Sequence, residues 1–361
     1  MIYLDNAATT RPTKKVIGKM SEVFENFYGN PSSLHNLGLE AENIITSARK
    51  ALADSISAED SEIYFAPSGT LANNTAILGF LRRNRKNVGN KILCSAVEHS
   101  SVYDVFEELK NEGYEVVEIP VKNFSPDYDF IYRNIDINTA LISVMAVNNE
   151  TGAVFDISKI RDIVEQKRLR TIIHSDLIQG FMKIPVDVRD FGADILTFSA
   201  HKIGGPKGIG GLYIRKGILI EPLYYGGGQE KNLFSGTENV AAIAGFSAAI
   251  EGYTPFNYDL YDLFLENLNE KIVINSKNNL KSILNISLDI RSEIALHMLE
   301  SKGIFVSSGS ACSQKKGEKN RVLKSFGVSQ GKQDTALRLS FSADITRDDI
   351  IKTAEVINNL L

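Results

Sequence analysis

The chain is poor in the residues that build covalent or metal-held scaffolds. Two cysteines in 361 residues, Cys94 and Cys312, are too few for a disulfide framework or a cysteine zinc cluster. Five histidines, His35, His99, His174, His201 and His297, show no metal-ligand spacing, so no metal is expected. No apolar run approaches the roughly 18 residues that a membrane span needs. The N-terminal "MIYLDNAATT" lacks the basic-then-apolar pattern of a signal peptide. Positive charge is not in excess either: 40 Lys and Arg against 44 Asp and Glu give a net charge of -4. That balance argues against a nucleic-acid footprint. The expectation is a cytoplasmic globular protein with no nucleic-acid and no membrane partner.

Common nucleotide and hydrolase motifs are also missing. "GGPKGIGG" (Gly204–Gly211) is not followed by the Lys-Ser/Thr pair of a P-loop, and it is not a Gly-x-Gly-x-x-Gly turn. "SSGSAC" has the wrong order for a nucleophile elbow.

What is present is alternation. The strand-like runs "EIYFAP", "KILCSA", "EVVEIPV", "ALISVMAV", "RTIIHSD", "DILTFSA" and "GGLYIR" are separated by helix-like segments such as Leu71–Arg82 and Ile157–Lys167. Such alternation predicts an α/β fold around a mostly parallel central sheet, whose short apolar strands bury both faces. The glycine-rich "YYGGGQEKNLFSGTENV" reads as a functional loop. "NVAAIAGFSAAIEGY" then predicts a helix, and from about residue 254 the pattern changes to a smaller α+β unit.

Two strand ends carry chemistry. "TIIHSD" places Asp176 after one strand, and "DILTFSAHK" places Lys202 after another, 26 residues later. Carboxyl ends of neighbouring parallel strands converge on one crevice. A lysine for a Schiff base and an acid for a pyridinium nitrogen are what pyridoxal 5'-phosphate (PLP) requires. "APSGTLANN" supplies small residues ahead of a helix, with Gly69 and Thr70 set to cradle a phosphate. His99, after a further strand, is placed to stack on the ring. Singly, each has an ordinary alternative: a cap, a solvated lysine, an N-cap, a structural histidine. Their joint order favours the cofactor. Cys94, inside "KILCSA", reads as a core strand residue, whereas Cys312 follows a run of small residues and precedes Lys315 and Lys316.

The stretches "YLDNAATT", "GNPSSLH", "SGTLANN", "EHSSV", "VNNETG", "HSDLIQ", "SAHKIGGPKGIGGLY", "SGTEN", "SSGSACS" and "LRLSFS" stand in order and together. On them the chain resembles a cysteine desulfurase of the class V aminotransferase group, in its NifS/IscS-like class I branch. The resemblance implies the type I PLP-dependent transferase fold. It implies a large PLP-binding domain over 14–252 and a small domain from 1–13 and 253–361. It implies conversion of L-cysteine to L-alanine, with the sulfur left on Cys312 as a persulfide and passed to an acceptor protein in iron–sulfur cluster assembly or thiolation.

The resemblance also implies roles. Lys202 holds PLP and moves the substrate proton. Asp176 pairs with the pyridine nitrogen and Gln179 with the ring hydroxyl. His99 stacks on the ring and exchanges protons. Gly69, Thr70, Ser199 and His201 hold the phosphate. Thr237 reaches the neighbouring subunit of a homodimer. Asn149, Arg338 and Asn30 bind substrate, Asn149 also touching the cofactor. Alternatives are a selenocysteine lyase or another class V aminotransferase and, outside catalysis, a degenerate paralogue acting as a scaffold. Positions that depart from the family are Leu71 for Glu, Lys231 and Phe234 for arginines, and Ser175 and Leu177 for Val and Ala. Lys315 and Lys316 are expected to favour the Cys312 thiolate and an acidic acceptor.

Overall fold

The computed structural model describes residues 1–308 and 321–361. All seven strand-like runs of the sequence become strands of one sheet. Its order is Ile63–Ala66, Gly210–Ile214, Ile195–Ser199, Ile172–Asp176, Thr139–Ser143, Lys91–Ser95, Glu115–Ile119. Gly210–Ile214 runs antiparallel to both neighbours, and the other pairings are parallel.

The two-residue period of a strand sends alternate side chains to opposite faces, and both faces are covered. Leu93, Ile142, Leu196 and Tyr213 enter one core cluster. Ile92, Cys94, Leu141, Ile195 and Leu212 enter the other. On the first face lies the nearly all-apolar helix Val240–Glu251, packed against Lys14–Asn26 and Asn36–Asp54. On the second lie the helical run 69–84 and helix Ser100–Asn111. Each fully buried Leu, Ile or Phe contributes about 1.5–3 kcal/mol relative to exposure. Cys94 behaves as one of these apolar residues: it is buried, and burial pushes its thiol well above the ordinary value.

The run 69–84 is not the single α-helix the sequence suggests. Gly69–Asn74 is α-helical, Thr75–Gly79 forms a π-helical turn, and Phe80–Asn84 resumes as α. Such widened turns occur frequently at functional sites.

A smaller antiparallel sheet orders Val273–Ile274, Ile283–Ser287 and Ala336–Ser340. Its core draws Ile2 and Leu4 together with residues between Phe256 and Leu360. The chain start joins it because Ile2–Tyr3 pairs in parallel with Ile304–Phe305. No helix among the described residues is long and apolar enough to cross a membrane.

Candidate active site

Five strands of the large sheet deliver residues to one cavity of about 410 Å³ at their carboxyl ends. Gly69 and Thr70 follow Ile63–Ala66, and His99 follows Lys91–Ser95. Asn149 lies beyond Thr139–Ser143. Asp176 ends Ile172–Asp176, with Gln179 three residues on. Ser199 ends Ile195–Ser199, and the 3-10 turn Ala200–Lys202 brings His201 and Lys202. Gly204 (φ 81) closes that turn in a left-handed conformation that suits glycine. Arg338 enters from the small sheet.

Asp176 is buried and held on both oxygens. The Asn73 amide donates to Oδ2 at 2.8 Å, and the Ile178 N–H donates to Oδ1 at 2.9 Å. Burial raises the Asp176 pKa, and these hydrogen bonds, His99 and Lys202 oppose that rise. Asn73 is fully buried and saturated. Its other amide proton goes to Ser101 Oγ at 2.9 Å, and its Oδ1 accepts from Thr197 Oγ1 at 2.6 Å.

His99 caps helix Ser100–Asn111 by accepting the Ser101 N–H on Nδ1 at 3.1 Å. An accepting Nδ1 leaves the ring proton on Nε2. Burial lowers the His99 pKa, so the imidazole is neutral near pH 7. His201 is pushed down to about 4 by burial first and then by Lys202, Lys207 and Lys183.

Lys202 Nζ donates to the backbone carbonyls of Ala7 at 2.7 Å and Ala8 at 2.8 Å. Gln179 Nε2 donates to the same Ala7 carbonyl at 2.8 Å. Arg338 is buried, with Nη2 on Asp5 Oδ1 at 2.9 Å and Nη1 on the Asn149 carbonyl at 3.0 Å.

Among the described residues, several buried polar atoms of the residues lining this cavity have no partner: Arg338 Nε, Asn149 Oδ1 and Gln179 Oε1. Buried polar groups are normally satisfied, so these three mark places for a ligand. Gly69 itself admits no side chain, which keeps its backbone against the neighbouring wall. A Cβ there would meet Ile178 Cδ1 at 2.5 Å and Ser199 Cβ at 3.3 Å. An acid beside a lysine, a glycine-lined cradle and unpaired amide and guanidinium atoms fit PLP and an amino acid. Among the described residues no group of three or more potential ligands could hold a metal.

A family model for class-V aminotransferases matches residues 2–352. The chain belongs to the class-V aminotransferase family. It is 36% identical to the cysteine desulfurase IscS of Methanosarcina thermophila, covering 100% of this chain and 92% of that protein. It is 37% identical to a NifS/IcsS protein homolog of Lactobacillus delbrueckii subsp. bulgaricus, over 97% and 94% of the two. A solved NifS-like protein superimposes with a TM-score of 0.92 at 30% identity, covering 99% and 98%. A structure of SspA in complex with cysteine gives 0.84 at 30% identity, over 95% and 99%. Class-V members are PLP-dependent enzymes, and the type I PLP-dependent transferase fold expected from the sequence is the one this member adopts.

Not every expected residue lines the cavity. Asn30 is exposed, with Oδ1 accepting the Ser32 N–H at 2.9 Å, and is not part of the wall. Thr237 is exposed and away from the cavity of its own chain. Cys312, Lys315 and Lys316 lie outside the described residues. The departures from the family are absorbed locally. Phe234 is buried against Tyr224, with ring centroids 6.4 Å apart. Lys231 turns back to the Ser61 carbonyl at 2.7 Å and covers the Tyr64 ring. Leu177 is buried in the core, and the buried Ser175 Oγ has no partner among the described residues.

Residues to which the sequence assigns no role also appear here. The Ala7 and Ala8 carbonyls belong to "YLDNAATT", where side chains alone gave no signal. Asn73 and Ser101 sit inside quoted stretches, but only the fold reveals their link to Asp176. Lys207 joins the same wall from the turn after Lys202 and helps lower the His201 pKa.

Proposed function

We propose that this protein is a cysteine desulfurase, converting L-cysteine to L-alanine and leaving the sulfur on Cys312 as a persulfide. The observation that carries the reading is that Lys202, Asp176 and Arg338 line one cavity. Names of relatives support it: a cysteine desulfurase at 36% identity and a cysteine-bound structure at TM-score 0.84.

Lys202 would hold PLP covalently, Asp176 would face its ring nitrogen and Gln179 its ring hydroxyl. Gly69, Thr70, Ser199 and His201 would hold its phosphate. The cofactor supplies an electron sink for charge developing at the substrate carbon. The chain's own residues do the rest. Arg338 and Asn149 bind the α-carboxylate, the planar guanidinium being matched to it. Lys202 takes the proton from the substrate Cα, and neutral His99 is set to exchange protons at the cavity wall. In the net reaction the substrate C–S bond breaks and an S–S bond to Cys312 Sγ forms. The carbon gains a proton, and alanine leaves.

The exposed Thr237 suits a role in the site of a second copy, which would make the enzyme a homodimer. The intact Lys202, Asp176 and His99 speak against a non-catalytic scaffold. An acceptor protein takes the persulfide sulfur, and we place the enzyme in the cytoplasm.

The test is direct. Protein loaded with PLP is incubated with L-cysteine, and alanine and sulfide are measured. Cys312→Ala is expected to bind cysteine and shift the cofactor absorbance, yet release almost no sulfur. Full turnover by Cys312→Ala would remove the persulfide step.

A further inference from the structure

Arg321 is the first described residue after the segment that contains Cys312. Its guanidinium forks onto two backbone carbonyls, Nη1 donating to Ala96 and Nη2 to Glu98, the latter at 2.6 Å. The same plane lies 3.6 Å from the centroid of the Tyr103 ring. Ala96, Val97 and Glu98 form the turn that leads to His99, and Tyr103 sits one turn into the helix that His99 caps. One planar cation therefore spans both flanks of the histidine. From the inner side the buried Glu98 carboxyl accepts from Ser95 Oγ and from the Met145 N–H at 2.7 Å. Forking and stacking together need a guanidinium, because an ammonium is a compact point charge.

The other root of the segment is tied to the site as well. Ser307 and Arg338 exchange backbone hydrogen bonds, Ser307 N–H to Arg338 O at 3.1 Å and Arg338 N–H to Ser307 O at 2.6 Å. The residues flanking the cysteine segment are thus bonded to the elements that carry His99 and Arg338.

We propose that Arg321 is a positioning residue for His99, fixing the imidazole at the cavity wall through the Ala96 and Glu98 carbonyls and the Tyr103 ring. The proposal rests on the reading that His99 serves the cysteine reaction. The charged groups acting on the imidazole are Asp176, Lys202, Asp104 and Arg321 itself. Arg321 acts through placement and touches no reacting atom. Displacing a catalytic group by about 1 Å can cost 10²-fold in rate.

The experiment is a double-mutant cycle on the full chain loaded with PLP, using Arg321→Met, His99→Ala and the pair. Arg321→Met is expected to lower kcat about tenfold or more with little change in KM for cysteine. It is expected to add no further loss in the His99→Ala background, because residues acting as a unit are non-additive. Arg321→Lys should recover part of the rate by reaching one carbonyl. Tyr103→Leu, which removes only the stacking, should give an intermediate loss, and these two variants complete the cycle if Arg321→Met does not fold. Losses that multiply across the pair, or wild-type kcat in Arg321→Met, overturn the proposal. If the wild-type protein forms no alanine from cysteine, it is the functional reading that fails. The resting cofactor absorbance then decides the role of Arg321. Arg321→Met must displace that band in the same direction as His99→Ala, and an unmoved band overturns the positioning role.

Discussion

Asn73 Nδ2 sits 2.8 Å from Asp176 Oδ2 and 2.9 Å from Ser101 Oγ, so one amide group serves both the acid and the hydroxyl that contacts His99. Ser101 Oγ lies 2.8 Å from His99 Nδ1. Asp176 and His99 are therefore joined through a fully buried amide and the Ser101 hydroxyl. Asn73→Ala removes one of the hydrogen bonds that favour the Asp176 carboxylate. Losing such a bond costs about 1–3 kcal/mol. The expected result is PLP affinity weakened about tenfold or more, read by absorbance titration of the apo-protein. Unchanged affinity would show that Asp176 needs no such support.

Arg338 is expected to control substrate binding more than cofactor binding. Arg338→Lys keeps a charge but loses the planar fork and one of its bonds to Asp5 or the Asn149 carbonyl. KM for cysteine should rise about tenfold to a hundredfold while the cofactor absorbance stays in place. Steady-state kinetics with a spectrum of each variant checks this. A rise in KM that follows cofactor loss would assign Arg338 a different role.

Glu98 gives the fold a pH dependence. Burial lifts its pKa to about 8, against the partial relief of bonds from Ser95 and Met145. An unfolded glutamate titrates near roughly 4.3. The raised folded value makes its contribution to stability full below that unfolded pKa, and the contribution is lost as pH rises through about 8. Glu98→Gln keeps an acceptor for Ser95 and Met145 without the charge. Its thermal midpoint relative to wild type should therefore improve from pH 5 to pH 8.5, by about 2–4 °C. Equal shifts at both pH values would mean that Glu98 is not held protonated.

Phe234→Arg restores the residue usual in the family and should do harm here. Phe234 is only 4% exposed and packs on Tyr224, so arginine would bring a charge into an apolar cluster. An unpaired buried charge costs about 3–5 kcal/mol. A lowered thermal midpoint without a gain in PLP affinity is expected, measured by denaturation and absorbance titration. A stable variant with tighter PLP would show that this loop had kept its ancestral pocket.

The sheet was legible because its strands are short, β-branched and bounded by turn residues, a pattern that survives burial on both faces. Asp176, Lys202 and His99 were legible for a related reason: strand ends converge, so a strand followed by a reactive side chain points at the crevice. The reversed direction of Gly210–Ile214 was not, since apolar alternation carries no direction. The π-turn after Asn74 was hidden too, because the apolar spacing from Leu71 to Arg82 suits an ordinary helix. Arg321 left no mark in the sequence. Its partners are carbonyls more than 200 residues away, and a carbonyl has no letter.

The same holds for the oxygen that receives both Lys202 and Gln179. It belongs to the main chain of Ala7, whose own N–H is held by Ser340 Oγ at 2.8 Å. No substitution at position 7 can delete it; a larger side chain can only shift it. What inheritance must preserve there is a path through space, and many sequences can draw the same path. A chain start with other side chains but the same main-chain path would offer Lys202 and Gln179 the same acceptor.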